Sequence, residues 1–404
     1  MNRVIWVFDD VEPLKKAYTE RLQSLKIIGR QGYDVVSLRA DEFQREMGLL
    51  KERQQRIRKG KTWPDDFLKL DEVAIFIIDY DLLRSEGFLT GETVAYLTRC
   101  FSRCGLILGL NQYGKNSYDL TLRGHLESYA DWNVGSDQFD NQGLWGDKFS
   151  QEAKAVEKDG IFRPWHWPNL PAYFESLQKR IDDVFKHSDQ PICSVLGMEQ
   201  IAALLPKRVG QFITGRTRSS PAKVTFTRFV TESGNGLKSR YKRATPEMIA
   251  RIGAARVSKW LERLVLPSQE ILIDAPHLVV RYPSLLKGHR TVRTWNLTTN
   301  MKPHGELPLD HEKIEKFRFK RDYWLSRPVW FWEKVSSSQG IKEVREPWTR
   351  ESSPFVFCED GSVFRDRKEC KEFLADVDSA DVRRYVLKSD RQVKYVPANR
   401  FLSS

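Results

Sequence analysis

The run Val73-Ala74-Ile75-Phe76-Ile77-Ile78 ends in Asp79, and a second carboxylate, Asp81, follows after Tyr80. A short apolar run bounded by charge is the pattern of a strand buried on both faces of a parallel sheet, which sets Asp79 at the carboxyl end of that strand. In open α/β sheets that edge is where ligands bind and chemistry happens. The chain also begins with such a strand, Val4-Ile5-Trp6-Val7-Phe8, closed by Asp9 and Asp10. Three carboxylates on one sheet edge repel one another unless a cation lies among them, and all-oxygen ligation selects a hard ion such as Mg2+. The simpler reading is that each acid caps the helix that follows its strand.

The elements that must position these acids alternate. A helix is expected over Glu12 to Ile28, with Leu14, Tyr18, Leu22 and Leu25 on one face, then a strand at Tyr33 to Leu38 and a helix from Asp41 to about Lys59. The Asp79 strand leads to a helix from Glu92 to Cys104 and a strand at Leu106 to Asn111. Residues 160–163 read as a short fifth strand and Asn169 to His187 as a closing helix. Strands alternating with helices predict a doubly wound, five-stranded parallel sheet. The polar, glycine-bearing stretch of about 112–158 contains Trp132 and Trp145 and reads as an ordered insertion, packed over the acidic edge or against a partner.

On these residues, positions 1 to about 188 resemble a response-regulator receiver domain, the phosphoacceptor module of two-component signalling. The resemblance implies that Asp9 and Asp10 form the Mg2+-binding acidic pair, that Asp79 accepts a phosphoryl group, and that the backbone carbonyl of Asp81 is a further metal ligand. Where the family has Lys-Pro after its last strand, this chain has Arg163-Pro164, so Arg163 would supply the cation. Where the family ends strand four with Thr or Ser, Asn111 is the nearby polar side chain. The implied partner is a histidine kinase or other phosphodonor, or a protein docking on the receiver-like part. A guanidinium docks on phosphate as a planar fork and an ammonium as a point charge, so the Arg163 substitution alters that contact.

The 404 residues suffice for two or three domains. We expect a receiver-like domain at 1–188, a basic, mainly helical segment at 189–266, and an α+β output domain at 267–404. No apolar stretch long enough for a membrane span occurs, so the expected location is cytoplasmic, without a membrane partner. The five cysteines show no zinc-ligand spacing and read as reduced, structural thiols. Residues 191–404 carry a net charge of +15, which leaves −3 for residues 1–190 of a chain whose total is +12. That asymmetry points to a polyanion, or an acidic protein surface, as partner of the second part.

Thirteen basic residues against two acids lie between Pro206 and Trp260. Lys207, Arg208, Arg216, Arg218, Lys238, Arg240, Lys242 and Arg243 are the candidate contacts to DNA or RNA. Asp274, His277 and Arg281 follow another apolar strand and read as a strand-end turn, with a catalytic cluster as the alternative. Aromatic and basic residues interleave from Glu312 to Lys334, a pattern shared by base-stacking surfaces and cores, and a charged helix is expected near Lys368 to Val377. Two functions follow. One is a response-regulator-like protein, phosphorylated at Asp79, whose receiver controls a basic output module. The other is a non-phosphorylated pseudo-receiver scaffold in a nucleic-acid-handling complex, such as one of antiviral (phage) defence or transposition.

Overall fold

The computed structural model describes residues 3–61, 68–82, 89–111, 117–119, 128–136, 138–146, 165, 167–217, 219–238, 244–288, 291–299, 304–341, 355–374, 383–387 and 392–394. Five parallel strands form the main sheet: β1 (Arg3–Phe8), β2 (Tyr33–Ser37), β3 (Val73–Asp79), β4 (Leu106–Asn111) and β5 (Trp132–Gly135). Their order is β2-β1-β3-β4-β5, that of a flavodoxin-like doubly wound sheet. The expected α/β class is therefore borne out. Every residue of β3 is buried, because it is flanked by β1 and β4 and covered on both faces. Ile75 and Ile77 meet Tyr18 and Leu22 of α1 (Glu12–Ser24) in one apolar layer. Phe76 and Ile78 meet Phe43 and Met47 of α2 (Ala40–Arg58) and Val94 of α3 (Gly91–Phe101) in the other. This is the two-residue side-chain period of a strand between two helical layers.

Three expectations need correction. The fifth position in the sheet belongs to Trp132–Gly135, not to residues 160–163, whose stretch to Pro164 lies outside the described residues. Leu108 pairs with Trp132 and Asn111 with Gly135, so part of the stretch taken for an insertion is the edge of the sheet. Four residues interrupted by Asn133 and ended by Gly135 carry too little apolar periodicity to announce a strand. The charged helix expected near Lys368 is instead a 3-10 turn at Arg367–Glu369 followed by a strand, since Cys370–Leu374 pairs antiparallel with Arg383–Leu387. The closing helix is two pieces, Leu170–Glu175 and α4 (Leu177–Lys186).

Beyond the sheet come α5 (Lys207–Thr214), α6 (Phe226–Glu232) and α7 (Pro246–Trp260). Thr245 caps α7 through its hydroxyl, which accepts from the Met248 N–H, and Pro246 takes the first turn, as its fixed φ suits. Helix α7 is buried nearly all round. A Cβ on Gly253 would lie 3.1 Å from Val184 of α4 and 3.3 Å from Phe226 of α6, so glycine permits the close crossing. Ser258 is a polar hub there: Arg180 donates to its hydroxyl at 2.8 Å, Tyr173 shares a bond with it at 2.7 Å, and it donates to the Trp324 carbonyl at 2.8 Å.

Around Ser188–Pro191, Thr227 N–H donates to the Ser188 carbonyl and Ile192 N–H to that of Val224. One apolar cluster runs from Trp6 through α7 to Phe364. Further on, β6 (Leu272–Asp274) pairs with β7 (Val329–Phe331). A four-stranded sheet in the order β9-β8-β11-β10 is built from β8 (Phe355–Cys358), β9 (Val363–Asp366), β10 (Cys370–Leu374) and β11 (Arg383–Leu387). Among the described residues no helix is long and apolar enough to cross a membrane.

Candidate functional site

Phe8 pairs with Ile78 across β1 and β3, so Asp9 and Asp79 stand opposite each other one step further along. Carboxylate oxygens of Asp9, Asp10 and Asp79 all lie within 4.8 Å of one another. Asp9 and Asp79 are each 1% exposed, and Asp10 is half-buried. The Val11 N–H donates to Asp9 Oδ1 at 2.7 Å, which turns that carboxylate back over the end of the strand. Neither following helix uses these acids as its cap. Val11 precedes α1 with no side-chain cap, and Thr90 caps α3 by accepting from the Thr93 N–H. The structure therefore brings the three together for another reason than capping.

Asp9 and Asp79 are out of water and Asp10 is partly so, and the spacing of the three carboxylates suits one hard divalent cation, whose Mg–O bonds are about 2.1 Å long. The floor beneath is tight. Gly91 opens α3 against the backbone of Asp79 and Tyr80, and a Cβ there would sit 2.4 Å from the Asp79 carbonyl oxygen and 2.7 Å from Tyr80 Cα. The Tyr80 hydroxyl donates to Glu92 Oε2 at 3.2 Å, while Glu92 Oε1 accepts from the Tyr129 N–H at 2.8 Å. Burial, together with the Glu92 charge, pushes the Tyr80 phenol far above its ordinary range, so it stays a donor. Burial also raises the phenol of Tyr18, which feels the charges of Asp9 and Asp79.

The other expected members are distributed differently. Asp81 is half-buried, two residues beyond Asp79. Asn111 closes β4, with its backbone beside Gly135. Arg163 lies outside the described residues. At the end of β5 stand Gly135 and Ser136, and among the described residues a cation of α1 reaches them: Arg21 donates to the Ser136 carbonyl at 2.8 Å and forks onto Asp140 at 2.7 and 2.8 Å.

Of the basic candidates, Lys207 and Arg208 are exposed at the start of α5, and Arg216 is exposed just past its end. Lys238 is exposed, its ammonium 5.1 Å from the ring centroids of both Tyr96 and Tyr129. Arg218, Arg240, Lys242 and Arg243 lie outside the described residues. Two others in the same basic run face inward. Arg256 donates to the carbonyls of Ser128 (2.5 Å) and Asn235 (2.7 Å), and Lys259 donates to those of Ser128 and Ala130 (2.7 Å). Burial first, and then Arg263 and Arg256, hold the Lys259 ammonium well below its ordinary pKa. Composition alone could not separate these two from the exposed cations.

Asp274 caps α8 (Ala275–Arg281) by accepting from the His277 N–H at 3.3 Å. Its carboxylate also meets His277 Nδ1 at 2.6 Å, accepts from Trp165 Nε1 at 2.5 Å, and lies 3.8 Å from Arg327. Arg281 turns away, over the Trp332 ring. Sequence reasoning missed Glu359 and Arg384, a buried pair at 2.5 Å that completes this network; only the fold brings β8 and β11 to α8. The network sets two buried carboxylates against two guanidiniums and an imidazole and joins Trp165 to the second half of the chain, in keeping with a structural role. Searched against known protein families, curated proteins and solved structures, the chain finds no match.

Proposed function

We propose that residues 1–188 are a receiver-like phosphoacceptor module that governs a basic output surface in the remainder of the chain. The convergence of Asp9, Asp10 and Asp79 at the carboxyl edge of adjacent parallel strands carries this reading. These three carboxylates, with the Asp81 carbonyl, would hold a divalent cation such as Mg2+, which when bound would neutralise charge on an incoming phosphoryl group. Asp79 is the nucleophile. Its carboxylate oxygen attacks phosphorus as the donor's leaving group departs with the bonding electrons, giving an acyl phosphate. Tyr80 and Glu92 fix the backbone behind the nucleophile. The output partner is DNA or RNA, met by the exposed cations Lys207, Arg208, Arg216 and Lys238.

The experiment is incubation of the full chain with Mg2+ and acetyl phosphate, read by intact-protein mass. One added phosphate is expected, and Asp79→Asn should abolish it while leaving the far-ultraviolet spectrum unchanged. A wild-type chain that binds Mg2+ but gains no mass would overturn phosphoryl transfer and favour the second reading, a pseudo-receiver that docks a partner in a nucleic-acid-handling complex. The depth of burial of Asp9 and Asp79 and the Gly135-Ser136 strand end favour that second reading.

A further inference from the structure

All five cysteines are buried, and two of them touch: the sulfurs of Cys358 and Cys370 are 3.1 Å apart. Cys358 ends β8 and Cys370 begins β10, with β11 between them in the sheet. Both side chains lie on the same face, in a small apolar cluster with Val356, Val363 and Leu387. A disulfide is about 2.05 Å long and holds its Cα atoms about 4.4–6.8 Å apart, so closure brings the sulfurs together by about 1 Å and also draws β8 and β10 towards each other past β11.

We propose that Cys358 and Cys370 form a dithiol that closes to a disulfide in the presence of a disulfide oxidant such as glutathione disulfide. Cys370 is the entry point: it lies on the edge strand, directly after the exposed turn Arg367–Glu369. Its thiolate attacks one sulfur of glutathione disulfide, breaking that bond and releasing one glutathione thiolate. The Cys358 thiolate then attacks the Cys370 sulfur of the mixed disulfide and displaces the second. The two protons given up by the cysteines end on the two glutathiones, and the protein is oxidised by two electrons as glutathione disulfide is reduced.

Closure would tie β8 to β10 across β11 and so fix the strands that carry Glu359 and Arg384. Glu359 follows Cys358 in sequence, bonds Arg384 at 2.5 Å, and its carbonyl accepts from the Trp165 N–H at 2.7 Å. The oxidised sheet therefore holds more firmly the contacts through which Trp165 meets the second half. This inference is independent of phosphoryl transfer at Asp79.

The test treats the full chain with glutathione disulfide, then counts thiols after denaturation and maps linked peptides without reductant. The expected result is three remaining thiols, a single Cys358–Cys370 linked peptide, and a melting temperature above that of the reduced chain. Cys358→Ser should instead stop at a glutathione adduct on Cys370, which a merely structural cysteine would not produce. Five thiols surviving oxidation, or a linkage confined to Cys100, Cys104 and Cys193, would overturn the proposal, and both outcomes are read on the wild-type chain.

Discussion

Gly91 is where a single atom has most to say about the acidic edge. Any side chain there would press on the Asp79 carbonyl oxygen and Tyr80 Cα, which are backbone and cannot rotate aside. Gly91→Ala should therefore cost about 1–3 kcal/mol of stability, the usual range for overpacking. Because the crowded carbonyl belongs to Asp79, it should also weaken the Mg2+ binding proposed for this site; calorimetric titration and denaturant unfolding measure the two effects. Unchanged stability would mean that α3 does not start against β3 as described. At this scale Asp9, Asp10 and Asp79 were legible from sequence, since each ends or follows a short apolar strand. Glu92, Tyr80 and Glu359 were not, because their partners are distant or their own neighbourhood is unremarkable.

At the scale of elements, α7 decides how the second half attaches to the sheet. Its inward cations hold the carbonyls of Ser128 and Ala130 just before β5, and its apolar residues fill the space between α4 and α6. Trp260 closes the helix with no exposed surface, and its indole N–H donates to the Val209 carbonyl of α5 at 2.9 Å. Trp260→Ala should cost about 3–5 kcal/mol, the cost of emptying a large buried site, and should loosen the helix that presents Lys207 and Arg208. Denaturant midpoints, with hydrogen exchange across α5, test both parts. A basic run reads as a surface by composition. Here the pitch of α7 turns Arg256 and Lys259 inward and leaves cations on other elements outside.

For the molecule as a whole, the apolar cluster from Trp6 to Phe364 means that neither half loses its packing without exposing the other. Thermal unfolding of the full chain should then be one cooperative transition, with tryptophan fluorescence and circular dichroism coinciding; two separated transitions would contradict this. The second global property is pH. Burial, and then His311 beside it, hold the His304 imidazole down to about 4 from its ordinary 6.5, with Glu315 at 3.3 Å acting in the opposite sense. The folded chain thus binds that proton less readily than the unfolded chain. Above pH 6.5 His304 costs nothing, and its stability contribution is lost as pH falls from 6.5 towards 4. Asp360 runs the other way, since burial raises its carboxyl to about 7 and stability declines as pH climbs from about 3.8 through 7. The readout is therefore the difference between wild type and His304→Asn, in which the Asp360 contribution cancels. That difference should change between pH 6.5 and 4 and stay flat above; a flat difference throughout would refute the assignment.

What the sequence determined by itself was local in origin. The apolar runs with a two-residue period, their carboxylate ends, and the helical faces between them are written in consecutive residues, and they sufficed for the parallel sheet and for the acids at its edge. The tertiary structure decided everything that depends on distant partners. It chose Trp132–Gly135 as the fifth strand, because the edge of β4 offers backbone hydrogen bonds to a segment too short to declare itself. It sorted one basic run into buried clamps and exposed candidates, and it brought Cys370 to Cys358 across an intervening strand. Pairing between strands and burial of charge are settled by which surfaces meet, and that information lies in no single stretch of the chain.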